Sequence, residues 1–196
     1  MDINDLISRR VRTLREERGF SLATLADLSG VGRSTISLIE RGESSATATV
    51  LDKLASALGV PLASLFEPAG EGDTAPSPVS RAAEQPVWTD PVTGYVRRNL
   101  SPAAPSPIQL VEVVFPPGQR VAFDTSTRDA DIQQQVWMIE GEMDITVGDA
   151  HWHLDSGDCL AMRVDRPISF HNRGGKAARY LVALVTQANS SNRRNG

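Results

Sequence analysis

Leu22–Gly42, LATLADLSGVGRSTISLIERG, decides the fold of the N-terminal part of the chain. Leu22, Leu25 and Ala26 recur at helical spacing and share one face. Ser29 and Gly30 end that helix, and Gly30 can adopt the positive φ of a tight turn. Val31 comes next as an apolar plug. A second helix from Arg33 to Arg41 turns Ile36 and Ile39 inward and Arg33, Ser34, Ser37 and Leu38 outward, and Gly42 stops it. Two short helices about a glycine turn, the second with a polar N-terminus, suit a DNA major groove. Arg33 and Ser34 would meet base edges first. Thr35 and Ser37 come after them, and Leu38 is placed to touch a thymine methyl.

Outward from this stretch, Ile3, Ile7, Val11 and Leu14 mark one face of a first helix over Asn4 to Glu17, ringed by Arg9, Arg10, Arg12 and Arg15. Leu51, Leu54, Ala55 and Leu58 form the core face of a helix from Thr47 to Leu58. Gly59 ends it. Pro61 opens a last short helix whose Leu62, Leu65 and Phe66 close the bundle. Glu67 to Ser80, EPAGEGDTAPSPVS, has no apolar period and reads as a linker between this bundle and the C-terminal part of the chain.

Residues 6–66 resemble the phage-repressor, or XRE, family of helix-turn-helix domains. The resemblance rests on Arg12-Thr13-Leu14-Arg15, Arg18-Gly19-Phe20-Ser21, Leu25-Ala26, Gly30-Val31-Gly32, Ser37-Leu38-Ile39-Glu40-Arg41-Gly42 and Leu58-Gly59-Val60. It implies that Arg15 pairs with Glu40, making Glu40 scaffold rather than a DNA contact. It also extends the DNA-facing set from Arg33, Ser34, Thr35, Ser37 and Leu38 to Ser21, Leu22, Gly32 and Arg41. Three positions depart from the family pattern. Leu22 replaces a glutamine that reaches a phosphate, Ala46 replaces a proline, and Gly32 replaces the Ser or Thr cap of the recognition helix. The last change costs up to ~1 kcal/mol of capping.

The chain has 196 residues, enough for two small domains, and a net charge of −4. Through Phe66 it carries eight basic and eight acidic residues, so the acidic excess lies C-terminal to the bundle. A neutral reading head releases few counterions, so affinity for a double-stranded operator must lean on a homodimer reading an inverted repeat. No apolar run approaches a membrane span, and the N-terminus MDINDLISRR lacks the apolar core of a signal peptide, so the expected location is cytoplasmic. The single Cys159 excludes an internal disulfide and is expected to be a small buried hydrophobe.

From about Val87 the pattern changes to short alternating strands. They are Tyr95 to Leu100, Ile108 to Phe115, Gln133 to Ile139, Met143 to Val147, His151 to Leu154, Cys159 to Arg163, Ile168 to Asn172 and Arg179 to Thr186. Turn residues join them and no helical stretch intervenes, which makes this half an all-β jelly roll. It resembles a cupin over about Leu110 to Val185. Val136 to Glu142 matches the end of the first cupin motif, and Leu154 to Asp158 with Asn172 match the second. The expected organisation is therefore two-domain: an all-α helix-turn-helix bundle of five helices (1–67), a flexible linker (68–85), an all-β cupin-like jelly-roll barrel (86–188) and a disordered tail (189–196).

Cupin enzymes hold a metal ion with histidines and a glutamate. Counted from Gly141 and Asn172, the cupin resemblance puts two of those ligand positions at Gln134 and Ile168. The H-x-H would fall near Thr127 to Asp129, which contains no histidine. No position keeps its usual ligand, so no metal, cofactor or catalytic residue is expected. His151-Trp152-His153 is an H-x-H on another strand and reads as surface or structural. Arg128, Asp129 and Gln134 supply polar groups for a ligand, and Val136, Met138, Ile168 and Phe170 supply an apolar wall, since the strand period of two aligns them. The leading reading is a DNA-binding transcriptional regulator whose cupin domain takes a small-molecule effector. A barrel acting only in dimerisation, and a metal-dependent cupin enzyme with a DNA-binding appendage, are the alternatives.

Overall fold

A computed structural model describes residues 2–67, 76–124 and 131–187. The N-terminal part forms four α-helices, α1 (Ile3–Glu17), α2 (Leu22–Ser29), α3 (Arg33–Glu40) and α4 (Ala48–Ala57), and a 3-10 helix over Leu62–Phe66. Each boundary has a local cause. Ser21 Oγ accepts the Thr24 N–H at 3.0 Å, Thr47 caps α4 through the Val50 N–H at 3.3 Å, and Gly30 ends α2 at φ 65°. α3 starts at Gly32 with no side-chain cap, as its sequence implies. Ile7, Val11, Leu14, Leu25, Ile36 and Leu54 are buried together at the centre of the bundle.

α1 is fixed to α3 by a two-pronged ion pair. Arg15 Nε donates to Glu40 Oε1 at 2.7 Å and Arg15 Nη2 donates to Oε2 at 2.9 Å, as the family resemblance implies. Arg15 Nη1 also donates to the Phe20 carbonyl, tying the α1–α2 turn to the same group. The Glu40 hydrogen bond raises the Arg15 pKa still further above its ordinary value.

The C-terminal part is ten strands in two sheets. They are β1 (Val87–Thr89), β2 (Val96–Asn99), β3 (Ile108–Phe115), β4 (Arg120–Phe123), β5 (Asp131–Glu140), β6 (Met143–Val147), β7 (Ala150–Leu154), β8 (Cys159–Arg163), β9 (Ile168–His171) and β10 (Ala178–Gln187). One sheet runs β1-β2-β3-β10-β5-β8, the other β4-β9-β6-β7, and every pair is antiparallel. This is the expected jelly roll with two strands added. β1 is three residues long, too short to show a period, and β4 is four residues beside a Pro-Pro-Gly turn. Inward residues alternate as the strand period requires: Val111, Val113 and Phe115 on β3 face Tyr180, Val182 and Leu184 on β10. Asn172 is fully buried and bonds the Phe115 and Lys176 carbonyls and the Gly174 N–H, so it is a pin of the turn after β9. Cys159 departs from its expectation. It is exposed, because β8 ends the six-stranded sheet and Cys159 lies on that sheet's outer face opposite Trp137.

The sequence pattern sets bundle and barrel apart, but the structure docks one on the other. Asp90, in the β1–β2 turn, reaches into the bundle and accepts the Ala48 N–H at 2.8 Å, at the first turn of α4. The rings of Phe66, Trp88, Tyr95 and Phe115 succeed one another at 5.5, 5.6 and 5.4 Å, from the 3-10 helix into the barrel wall. Thr49 approaches the Ala122 carbonyl, and Glu67 accepts from Gln109. The physical reason is that the 3-10 helix and α4 carry apolar surface that a five-element bundle cannot cover alone, and the barrel mouth covers it.

Arg15→Met should strand a Glu40 carboxylate whose side chain is only 8% exposed. The expected loss is about 3 kcal/mol, read from the denaturation midpoint, with Arg15→Lys recovering part of it. A loss within the few tenths typical of an exposed pair would remove this contact from the scaffold.

Candidate functional site

This geometry offers two sites: the outer face of α3, and a cavity where the bundle meets the barrel. On α3, Arg33 and Ser34 are exposed, Thr35 and Ser37 are half-buried, and Leu38 is exposed, in the order the helical period predicts. Gly32 is exposed at the helix start and leaves the first α3 amides uncapped by any side chain, which suits a phosphate oxygen. Two expected DNA-facing residues are already engaged. Ser21 spends its hydroxyl on the Thr24 amide and hydroxyl. Arg41 is bridged to both Glu43 carboxylate oxygens, at 2.8 and 2.9 Å, and donates to Ser37 Oγ at 2.7 Å, so a phosphate must compete for it. Leu22 is half-buried and packs against the bundle core, which leaves it little reach.

The cavity has a volume of about 80 Å³, room for several water molecules. Of the residues assigned to a pocket from sequence, Gln134, Ile168 and Phe170 line it. Val136 and Met138 do not. They share the inner face of β5 but sit further along it, fully buried between the sheets. Arg128 and Asp129 lie outside the described residues. The bundle supplies part of the wall through Asp52 of α4 and Pro61, Leu62 and Ala63, and the barrel adds Tyr95, Arg97 and Tyr180. None of these is among the residues that the sequence assigns to a pocket. For Arg97 a signal exists: Tyr95, Arg97 and Asn99 share one face of β2, so a buried Tyr95 forces Arg97 inward. Asp52, one residue past Leu51 of the α4 core face, carries no such signal.

Arg97 sets the electrostatics of the cavity. It is 8% exposed, and its guanidinium carbon lies 5.2 Å from the centre of the Phe66 ring. Nε has no hydrogen-bond partner among the described residues. Burial pulls the Arg97 pKa down, with only the neighbouring Tyr95 and Tyr180 opposing. Burial likewise pushes both tyrosine pKa values well up, so the phenols stay protonated donors across the ordinary pH range.

The cavity does not fit a cupin metal. Among its described lining residues Asp52 is the only carboxylate and there is no histidine, and Ile168 offers no donor atom. The three histidines lie elsewhere, on the four-stranded sheet. His153 Nδ1 is 2.7 Å from Asp144 Oδ1, His151 bonds Thr146, and His171 accepts from Arg173, which itself pairs with Asp144 at 2.9 Å. The Asp144 hydrogen bond raises the His153 pKa. Glu142, His153 and Asp155 do bring one ligand atom each within 4.8 Å of one another, on an exposed surface.

The fold is a two-domain one, a helix-turn-helix head on a jelly-roll barrel. Comparisons with known proteins agree. The helix-turn-helix family model (HTH_3) matches residues 11–65. The HTH-type transcriptional regulator SutR of Escherichia coli K12 is 25% identical over 180 residues, covering 91% of this chain and 93% of SutR. The HTH-type transcriptional regulator PuuR of the same organism is 23% identical, over 89% of this chain and 92% of PuuR. The crystal structure of an HTH_3 family transcriptional regulator from Vibrio cholerae superposes with a TM-score of 0.73 at 22% identity, over 95% of this chain and 98% of that one, and so shares the fold. Residues 11–65 therefore carry a helix-turn-helix domain, and over nine-tenths of its length the chain is similar to proteins named HTH-type transcriptional regulators.

Asp90→Ala should leave the Ala48 and Thr93 N–H groups without their acceptor, at a cost of about 2–3 kcal/mol. Amide exchange at the start of α4 should accelerate while the β5–β10 amides keep their protection. Unchanged exchange at Ala48 would show that Asp90 does not seat the head.

Proposed function

We propose that this regulator binds a double-stranded operator through α3 and that a small molecule in the cavity between head and barrel changes that binding. The observation that carries the reading is that the cavity wall is drawn from both domains: Asp52 and Pro61 to Ala63 belong to the head, Gln134, Ile168 and Phe170 to the barrel. A ligand there touches the elements on which the head rests, so different affinities for two seatings of the head become different DNA occupancies. The functional units are residues 1–67 as reading head, 68–85 as connection, 86–188 as effector barrel and 189–196 as tail. Arg128 and Asp129 belong to the proposed effector contacts. The protein acts in the cytoplasm without catalysis, metal or cofactor; no helix among the described residues is long and apolar enough to cross a membrane.

The proposed assembly is a homodimer on an inverted repeat with half-sites about one helical turn apart. Its support is the outer face of the six-stranded sheet, where Trp137 and Ile108 are 49% and 48% exposed and share their face with Leu181 and Val185. A monomeric mass by light scattering at micromolar concentration, with operator binding intact, would refute this assembly. Trp137→Glu should shift the mass toward the monomer and weaken operator binding together.

Arg33→Ala should lose about 1–3 kcal/mol of preference for the selected operator over random DNA, measured by fluorescence anisotropy at fixed salt. Equal loss on both DNAs would reduce Arg33 to a phosphate contact. For the effector, the low-molecular-mass fraction of a cell extract should change the operator affinity of the wild type and leave Ile168→Trp unaffected. No change in the wild type would count against the effector reading and favour a barrel that only dimerises.

A further inference from the structure

We infer that the cavity binds a small organic anion, a monocarboxylate on an apolar body, with Arg97 as its counter-charge. This rests on the effector reading above and names the chemistry it would take. Arg97 is more than nine-tenths buried, lines the cavity, and has no carboxylate within ion-pair distance among the described residues. The Phe66 ring covers one face of the guanidinium, but a ring face does not accept the in-plane N–H groups, and Nε is left without a hydrogen bond. A full positive charge in an apolar wall, with an in-plane donor unspent, is the complement of a carboxylate.

Two further donors converge on the same space. Tyr95, just ahead of β2, and Tyr180, on β10, line the cavity, and both influence the Arg97 charge. Neither hydroxyl makes a hydrogen bond among the described residues. One guanidinium and two phenols match a single negative charge. A phosphate or sulfate dianion would bring a second charge with no partner. The remaining wall is apolar, from Phe115, Phe123, Phe170 and Leu184 to Leu62 of the head, and suits a hydrocarbon or aryl body. Asp52, the one acidic group on the described wall, would repel a carboxylate, so the anion seats at the Arg97 end. With its head group on β2 and its body against Leu62, such a ligand bridges barrel and head.

The test uses the full chain and thermal denaturation with benzoate and hexanoate at millimolar concentration, against benzamide, hexanol and sulfate. The two carboxylates should raise the melting temperature by several degrees, and the neutral analogues and sulfate should not. Arg97→Met keeps the stem and removes the charge. Without ligand it should melt no lower than the wild type, because an uncompensated buried charge is gone, and its response to carboxylates should vanish. Arg97→Lys should keep part of the response. A carboxylate response surviving in Arg97→Met, an equal shift with benzamide, a shift as large with sulfate, or no response to either carboxylate would each overturn the inference. If the cell-extract fraction still changes operator affinity in Arg97→Met as in the wild type, the effector reading stands and the anion assignment falls. If carboxylates bind but neither they nor the extract change operator affinity, the effector reading falls and the anion site stands.

Discussion

The seat of the reading head on the barrel is the constraint on which the rest of the structure depends, and a single buried carboxylate sets it. Asp90 is 2% exposed and spends its oxygens on the Ala48 N–H of one domain and on the Thr93 N–H and hydroxyl of its own turn. A carboxylate in that position satisfies one of the orphan donors of α4 and faces the positive end of the helix dipole. The geometry is exacting, because an anion buried this deeply must keep its hydrogen bonds or lose several kcal/mol. The Phe66–Trp88–Tyr95–Phe115 ring series then adds apolar area beside the fixed point. Polar contact fixes where the head sits, and aromatic contact supplies the affinity.

The cavity is a consequence of that seat. The head closes the mouth of the barrel with Pro61, Leu62 and Ala63 but does not fill it. Arg97 is caught in the closed space. Its contact with Phe66 contributes ~0.5–2 kcal/mol, whereas taking an unpaired guanidinium out of water costs several. The balance is unfavourable for the protein alone. Such an imbalance persists in a fold where the group has work to do with a partner, which is the sense in which a strained or unsatisfied buried group points toward function.

For a regulator, the consequence is short-range coupling. In the proposed reading, the route from cavity to DNA would run from Leu62 and Asp52 through α4 and the bundle core to α3, while Arg15 holds α1 against the α3 end through Glu40. A ligand needs to move the head only slightly against Asp90 to change the spacing of two recognition helices in a proposed dimer. Coupling through one packed interface would be consistent with the modest free energies of allosteric linkage in general, about 1–3 kcal/mol.

Much of this is legible in the sequence, and the remainder divides on physical grounds. The helix-turn-helix, its Gly30 turn and its uncapped Gly32 start are local, because helix period and turn chemistry are written within a dozen residues, whereas the Arg15–Glu40 pair, 25 residues apart, is implied only by the family resemblance. The eight strands other than β1 and β4 and the inward face holding Gln134, Ile168 and Phe170 are likewise set by a period of two. β1 is too short to carry a period, and β4, no longer than β2 and β9, follows a Pro-Pro-Gly turn. The exposure of Cys159 depends on which strand ends a sheet, and the depth of Val136 and Met138 depends on where the cavity stops along β5. Asp90 and Arg97 meet head residues distant in sequence, Asp90 the Ala48 N–H 42 residues away and Arg97 the Phe66 ring. The sequence by itself determined the two folds and which residues of α3 lie on its outer face. Tertiary structure alone decided that the domains share a wall, because a buried charge takes its meaning from distant surfaces that no local period encodes.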